Sequence, residues 1–284
     1  MLKVDPEKVE NIIREVADTI IVPRFKNLQS HEIHFKSGDD PVTSVDKEAE
    51  SALEERLLDL LPHSKVVGEE AFDLDSGLLG SFSSDSPVWI VDPIDGTKSF
   101  ISGDPFYGVI VALAEQDQTI AAWLYDPTSR EFVTAEKGSG AYHAGRKLSV
   151  LPPDDLPKMS GMMGLKIVEA YEASDPAARA DKPILQKMLS SCHDYARLVV
   201  DVPHFSRSAT QMHFHSWLST CTPWDSAAGI LINTEAGGYT AHLNGEPFKP
   251  SHYGRGILTA PDKESWRVLH DWIASFCAGK TGIK

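Results

Sequence analysis

Cysteine is scarce in this sequence. Cys192, Cys221 and Cys277 are the three present, and none stands at the C-x-x-C spacing of a redox or metal motif. An odd, sparse set in a chain of 284 residues argues against a disulfide framework and for a reducing compartment. Basic charge is also short: 27 Lys and Arg face 41 Asp and Glu, for a formal net charge of -14. A broad Lys/Arg surface for nucleic acid is therefore not expected. No apolar run reaches the roughly 18 to 20 residues that cross a bilayer. The N-terminus, MLKVDPEKVE, lacks the basic then apolar order of a secretory signal. The expectation is a cytoplasmic protein with neither membrane nor nucleic-acid partner. Also missing are the G-x-S-x-G elbow, the P-loop and the G-x-G-x-x-G fingerprint, which removes the common serine-hydrolase and nucleotide-fold signals. His31 and His34 lack H-E-x-x-H spacing. His213 and His215, with His204 nearby, have no third ligand at a defined spacing and make a weak metal motif.

What is present is an ordinary globular composition, 42% hydrophobic, with readable punctuation. Asp5-Pro6-Glu7 marks a helix start, followed by Val9, Ile12, Ile13, Val16 and Ile20 at helical spacing, with Pro23 ending or kinking the element. DDPVTSVDKEAESALEERLLDLLP predicts a second helix, with Thr43 and Asp46 in capping-box relation and Leu53, Leu57, Leu60 and Leu61 on one face. KVVGEE, VWIVDP, FYGVIVALA, TIAAWLYD and REFVTAEK read as strands. Residues 72–87, rich in Ser, Gly and Asp, read as a surface loop. LSVLPPDDLPK is the candidate joint between residues 1–150 and 151–284. PWDSAAGILINTEAGG predicts a helix stopped by Gly237-Gly238, and residues 262–277 a final amphipathic helix. The tryptophans, Trp123 and Trp217 among them, read as core or interface residues. The pattern as a whole is α/β, layered in the α+β manner.

The chemistry concentrates in acids placed at the ends of elements. Four apolar residues, Val88 to Val91, run straight into Asp92-Pro93-Ile94-Asp95-Gly96-Thr97. At the end of a buried strand, Asp92, the Ile94 carbonyl and Asp95 can face one point, while Gly96 allows close approach and Thr97 can open a helix suited to phosphate. Gly68-Glu69-Glu70 follows Val66-Val67, and Trp224-Asp225 begins an apolar helix. Taken singly, Asp46, Glu69 and Asp225 are ordinary cap or loop acids. Taken together they would repel one another strongly unless protonated or bridged by cations. Oxygen-only ligands favour Mg²⁺, with Mn²⁺ a possible substitute, over zinc.

The ordered set GEE, WIVDPIDGTKSF and PWDSAAGILINTEAGG, together with DPVTSVDKEAE, resembles the inositol monophosphatase family of metal-dependent, lithium-sensitive phosphomonoesterases. The match runs from about residue 40 to 260. The resemblance implies an αβαβα sandwich whose N-terminal half binds metal and phosphate and whose C-terminal half adds the last ligand and substrate pocket. It implies Glu69, Asp92 and the Ile94 carbonyl as ligands of a first metal, Asp92, Asp95 and Asp225 of a second, and two or three Mg²⁺ in all. Asp46 and Thr97 would orient the attacking water, Gly96 and Thr97 would bind phosphate oxygens, and the chain would form a homodimer. Many inositol-specific members carry a glutamate seven residues before the WD aspartate; here that residue is Leu218. DGTKSFISG is also similar to histidinol-phosphate phosphatases, and Lys98 after DGT to nucleotidases acting on 3'-phosphoadenosine 5'-phosphate. Asp194 is a candidate hydroxyl-binding acid, and a short insertion is expected between Phe205 and Trp224. The first substrate expected is myo-inositol 1-phosphate or a related sugar or polyol phosphate. A glycosidase explains neither Gly96-Thr97 nor the excess of acids; a non-catalytic regulatory member of the fold is the alternative from another class.

Overall fold

The structure is a computed structural model, and it describes residues 4–36, 40–174, 182–186, 188–199 and 211–277. His204 and the first part of the expected insertion lie outside these residues. Helix α1 (Pro6–Val16) starts as expected, with Asp5 accepting from the Glu7 amide at 3.0 Å and Pro6 at the first position. It does not end at one break. The chain passes through a π turn (Ala17–Ile21) and a 3-10 turn (Val22–Arg24) that contains Pro23. After strands β1 (Ile33–Phe35) and β2 (Pro41–Thr43), α2 (Ser44–Leu60) opens on the Thr43–Asp46 capping box.

The next strands form a seven-stranded sheet in chain order: β3 (Lys65–Gly68), β4 (Val88–Asp95), β5 (Gly108–Glu115), β6 (Gln118–Asp126), β7 (Glu131–Glu136), β8 (Gly140–His143) and β9 (Arg146–Lys147). Only β3 and β4 run parallel. Between them, residues 72–87 differ from the loop expected. Helix α3 (Glu69–Leu74) and a 3-10 segment (Ser76–Ser83) fill the parallel crossover, and Phe82 is buried in the core. The composition is loop-like, but Phe82, with Phe72, Leu78 and Leu79 packed against the same cluster, anchors the stretch. Helix α4 (Thr97–Ser102) follows β4 directly.

A five-stranded sheet, order β11-β10-β12-β14-β13, forms from β10 (Ser160–Met163), β11 (Ile184–Gln186), β12 (Phe214–Cys221), β13 (Tyr239–His242) and β14 (Arg255–Ala260). Its helices are α5 (Leu165–Glu172), α6 (Ser191–Ala196), α7 (Pro223–Glu235) and α8 (Lys263–Cys277).

Strand periodicity explains the layers. Trp89 and Val91 join Ile13, Leu53 and Leu57 of α1 and α2 in one cluster, whereas Val88 and Ile90 join Tyr195, Ala227 and Leu231 of α6 and α7 in another. Both faces of β4 are therefore buried, which is why its sequence is continuously apolar rather than alternating. The second cluster also takes in Met162 and Ile257 of the smaller sheet, so α6 and α7 lie between the two sheets. A third cluster packs α5 and α8 on the outer face of that sheet. The order is helices, sheet, helices, sheet, helices, the α/β layering expected. Gly229 lets α6 and α7 touch, since a Cβ there would lie 2.0 Å from the Tyr195 ring.

Candidate active site

Asp92 and Asp95 are held by a break in the sheet. The β4–β5 register shifts between them, and Pro93, having no amide proton, sits in the irregular stretch. Gly96 then adopts φ 86°, and an added Cβ would approach the Phe106 carbonyl oxygen to 2.7 Å, so the turn needs glycine. Asp225 comes from the first turn of α7. The cap of that helix is Thr222, whose hydroxyl donates to Asp225 at 2.5 Å and receives the Asp225 amide at 3.3 Å. One oxygen from each of Asp92, Asp95 and Asp225 lies within 4.8 Å of the others.

These carboxylates form the floor of an open cleft of about 610 Å³. Burial raises Asp92 well above the ordinary carboxylate range, and the charges of Glu69, Asp95, Asp225 and Asp46 raise it further. Burial and the neighbouring acids Asp95 and Glu69 likewise push Asp225 up to about 8, against hydrogen bonds from Thr222 and Ser191. Asp95 is raised by burial too, though it accepts from the Ser191 amide at 3.1 Å and the Cys192 amide at 2.7 Å, at the start of α6. Buried, mutually repelling oxygen donors fit a hard divalent cation such as Mg²⁺.

Asp46 receives the Thr43 amide at 2.8 Å and lies 3.3 Å from the Thr97 hydroxyl, which is also 3.1 Å from the Ile94 carbonyl oxygen. Burial raises the Asp46 carboxyl against the opposing bonds from Thr43. Glu69, Ile94, Gly96, Thr97 and exposed Lys98 line the same cleft. Glu69, raised by burial, is paired with Lys36, whose ammonium bridges Glu69 and Glu70 at 2.8 Å each and Asp73 at 3.0 Å. Although burial lowers Lys36, the charge of Glu69 and its bonds to both glutamates hold it above its usual range.

Asp194 reaches the cleft but turns inward. Both its oxygens accept from the Leu189 amide at 3.1 Å, one stands 3.8 Å from Arg197, and burial drives it up to about 8. Leu218 is buried in the apolar cluster of the outer face. His213 and His215 do not converge: the former accepts from the Ser160 amide at 3.1 Å, while the latter is wholly buried beside Tyr195 and Trp217, with burial lowering it to about 3.

Sequence reasoning missed several cleft residues. Lys36 had no motif around it. Thr222 could have been read as the cap two residues before Trp224. Trp217 and Trp224, expected in core or interface, line the cleft together with Tyr253. Ser190 lies in the wall, its hydroxyl 2.8 Å from His193 Nδ1, and His193 Nε2 is 3.7 Å from Asp126.

A family model described as the inositol monophosphatase family matches residues 5–277. The chain belongs to that family. An inositol monophosphatase of Dictyostelium discoideum is 31% identical over 245 residues, covering 83% of each chain. A protein of Vibrio cholerae named Nus factor SuhB is 30% identical over 230 residues, 79% of this chain and 80% of that one. Among solved structures, a staphylococcal inositol monophosphatase complexed with products aligns with a TM-score of 0.75 at 18% identity, over 97% of this chain and 96% of its own. The Thermotoga maritima enzyme aligns at 0.74 with 22% identity, over 95% and 98%. At these identities the structural likeness establishes the fold; membership of the phosphatase family rests on the sequence match.

Proposed function

We propose that this chain hydrolyses a small phosphate monoester in a Mg²⁺-dependent reaction, with myo-inositol 1-phosphate the first substrate to try and histidinol phosphate or 3'-phosphoadenosine 5'-phosphate as alternatives. The observation that carries this reading is the convergence of Asp92, Asp95 and Asp225 beside the Asp46–Thr97 pair. In this reading Glu69, Asp92 and the Ile94 carbonyl would hold one cation, and Asp92, Asp95 and Asp225 a second. The cations would neutralise phosphate charge, activate water and stabilise the leaving alkoxide.

The protein's own groups would do the rest. Asp46 and Thr97 would orient the water and hold its proton, a task suited to a carboxyl already raised by burial. The Gly96 and Thr97 amides would donate to phosphate oxygens, and Lys36 and Lys98 would balance their charge. No covalent phosphoenzyme is needed. A homodimer, proposed from the family resemblance alone, is checked by light scattering.

The test is phosphate release from the three esters with and without Mg²⁺, by wild type and Asp95→Asn. Metal-dependent release abolished by the substitution supports the reading, and the fastest ester selects the substrate class. Silence with all three, while Mg²⁺ still binds, would point to the regulatory alternative that the SuhB likeness keeps in view.

A further inference from the structure

Part of the cleft lining is aromatic. Trp217, Trp224 and Tyr253 line it, joined by Met188 and Leu189. Phe72 packs behind, 4.9 Å from both the Trp224 and Tyr253 ring centroids, and those two rings are 6.1 Å apart. Trp224 is buried, but Tyr253 leaves 48% of its surface exposed.

Tyr253 is held in place rather than left on a loose loop. On one side, Ser251 gives its amide and hydroxyl to Asp117 at 2.9 and 2.7 Å; on the other, the Gly254 amide donates to the Cys221 carbonyl at 2.9 Å. A ring fixed this way loses little freedom when another ring stacks on it.

Polar groups lining the same cleft already have partners. Ser191 and Thr222 donate to Asp225, Ser190 is bonded to His193, and Asp194 is bonded to the Leu189 amide. Leu218 brings no acid to the cleft and lies buried in the outer cluster. A polyol would surrender water from several hydroxyls to meet this surface, which is costly wherever no replacement bond forms. A flat unsaturated ring would surrender none and would gain stacking area.

We infer, resting on the phosphomonoesterase reading above, that this lining selects phosphate monoesters whose alcohol carries a flat unsaturated ring, with Tyr253 as the stacking residue. The test compares kcat/KM for benzyl phosphate, cyclohexylmethyl phosphate and myo-inositol 1-phosphate with Mg²⁺. Benzyl and cyclohexylmethyl phosphates both release unactivated primary alkoxides, and any difference between those leaving groups is common to wild type and Tyr253→Ala, so the change in their ratio reports the ring. Benzyl phosphate is expected to lead its saturated counterpart by about tenfold, the scale of one aromatic contact. Tyr253→Ala should bring the two near parity, chiefly through KM, and Tyr253→Phe should restore the ratio in a protein that keeps its ring and its fold. Equal turnover of the two by wild type, or a ratio unchanged in Tyr253→Ala, would overturn the inference while leaving the phosphatase reading standing. No release from benzyl phosphate would also overturn the inference, while the phosphatase reading stands or falls separately on release from myo-inositol 1-phosphate, histidinol phosphate and 3'-phosphoadenosine 5'-phosphate.

Discussion

Single residues in the cleft are under opposed demands, and substitutions can separate them. Among the described residues Asp92 accepts one hydrogen bond, from the Ile94 amide at 3.0 Å, yet four neighbouring acids crowd it. Asp92→Asn should therefore raise the melting temperature of metal-free protein by relieving repulsion, while cutting metal-dependent phosphate release by at least about 100-fold. Calorimetry and a phosphate assay on the same sample check both halves. His193 carries the opposite expectation. It stands between Ser190 and Asp126, and although burial acts to raise Asp126, bonds from His193 and Thr128 hold its carboxyl below the ordinary range. His193→Ala should cost about 1–3 kcal/mol in urea unfolding, because it removes a buried ring that bonds Ser190 and stands 3.7 Å from the Asp126 carboxylate. The acids at 92, 95 and 225 were legible because each stands at an element boundary marked by Pro, Gly or Trp. His193 was not, because nothing local announces that Asp126, 67 residues earlier, would face it.

Elements meet at the cleft through their ends, and one such junction titrates. Glu50 of α2 receives the Glu70 and Ala71 amides at 2.8 Å each and so caps α3 from outside. Burial lifts it to about 7 despite those bonds, and burial lifts Glu70 to about 7 as well. Both folded-state values stand above the ordinary 4.5, so the folded chain binds extra protons between about pH 4.5 and 7. Stability of metal-free protein should accordingly be greater at pH 5 than at pH 8, falling as pH rises through 7. Thermal melts across that range check the sign, and Glu50→Gln should flatten the curve. The turn before α4 offers a steric counterpart: Gly96→Ala should destabilise by about 1–3 kcal/mol, since it combines a positive φ with a 2.7 Å approach to backbone oxygen. Helix starts and strand runs were readable because caps and periodicity act within four residues. The helical turns between Glu69 and Ser83 were not, because Phe72, Leu78, Leu79 and Phe82 anchor a Ser-, Gly- and Asp-rich stretch by reaching a core assembled elsewhere.

At the scale of the whole molecule, the floor of the cleft joins β4 to α7, which are more than a hundred residues apart in sequence but share one apolar cluster. Cation binding there should tie the layers together. Mg²⁺ at about 100 times its dissociation constant would stabilise the fold by about 2.7 kcal/mol, and chelation should reverse the shift. A melting curve insensitive to both Mg²⁺ and chelator would rule against a cation at this site. The family motifs made the α/β layering and the acid set readable by resemblance, and local rules explain why each acid sits at a helix start or strand end. The amino-acid sequence by itself determined those short-range features, because capping, proline and glycine geometry and apolar periodicity depend only on near neighbours. Only the tertiary structure decided that Lys36 pairs with Glu69, that Asp194 turns inward, and that Trp217, Trp224 and Tyr253 line one cleft. Those outcomes depend on strand order and layer packing, which bring distant segments together without leaving a local mark.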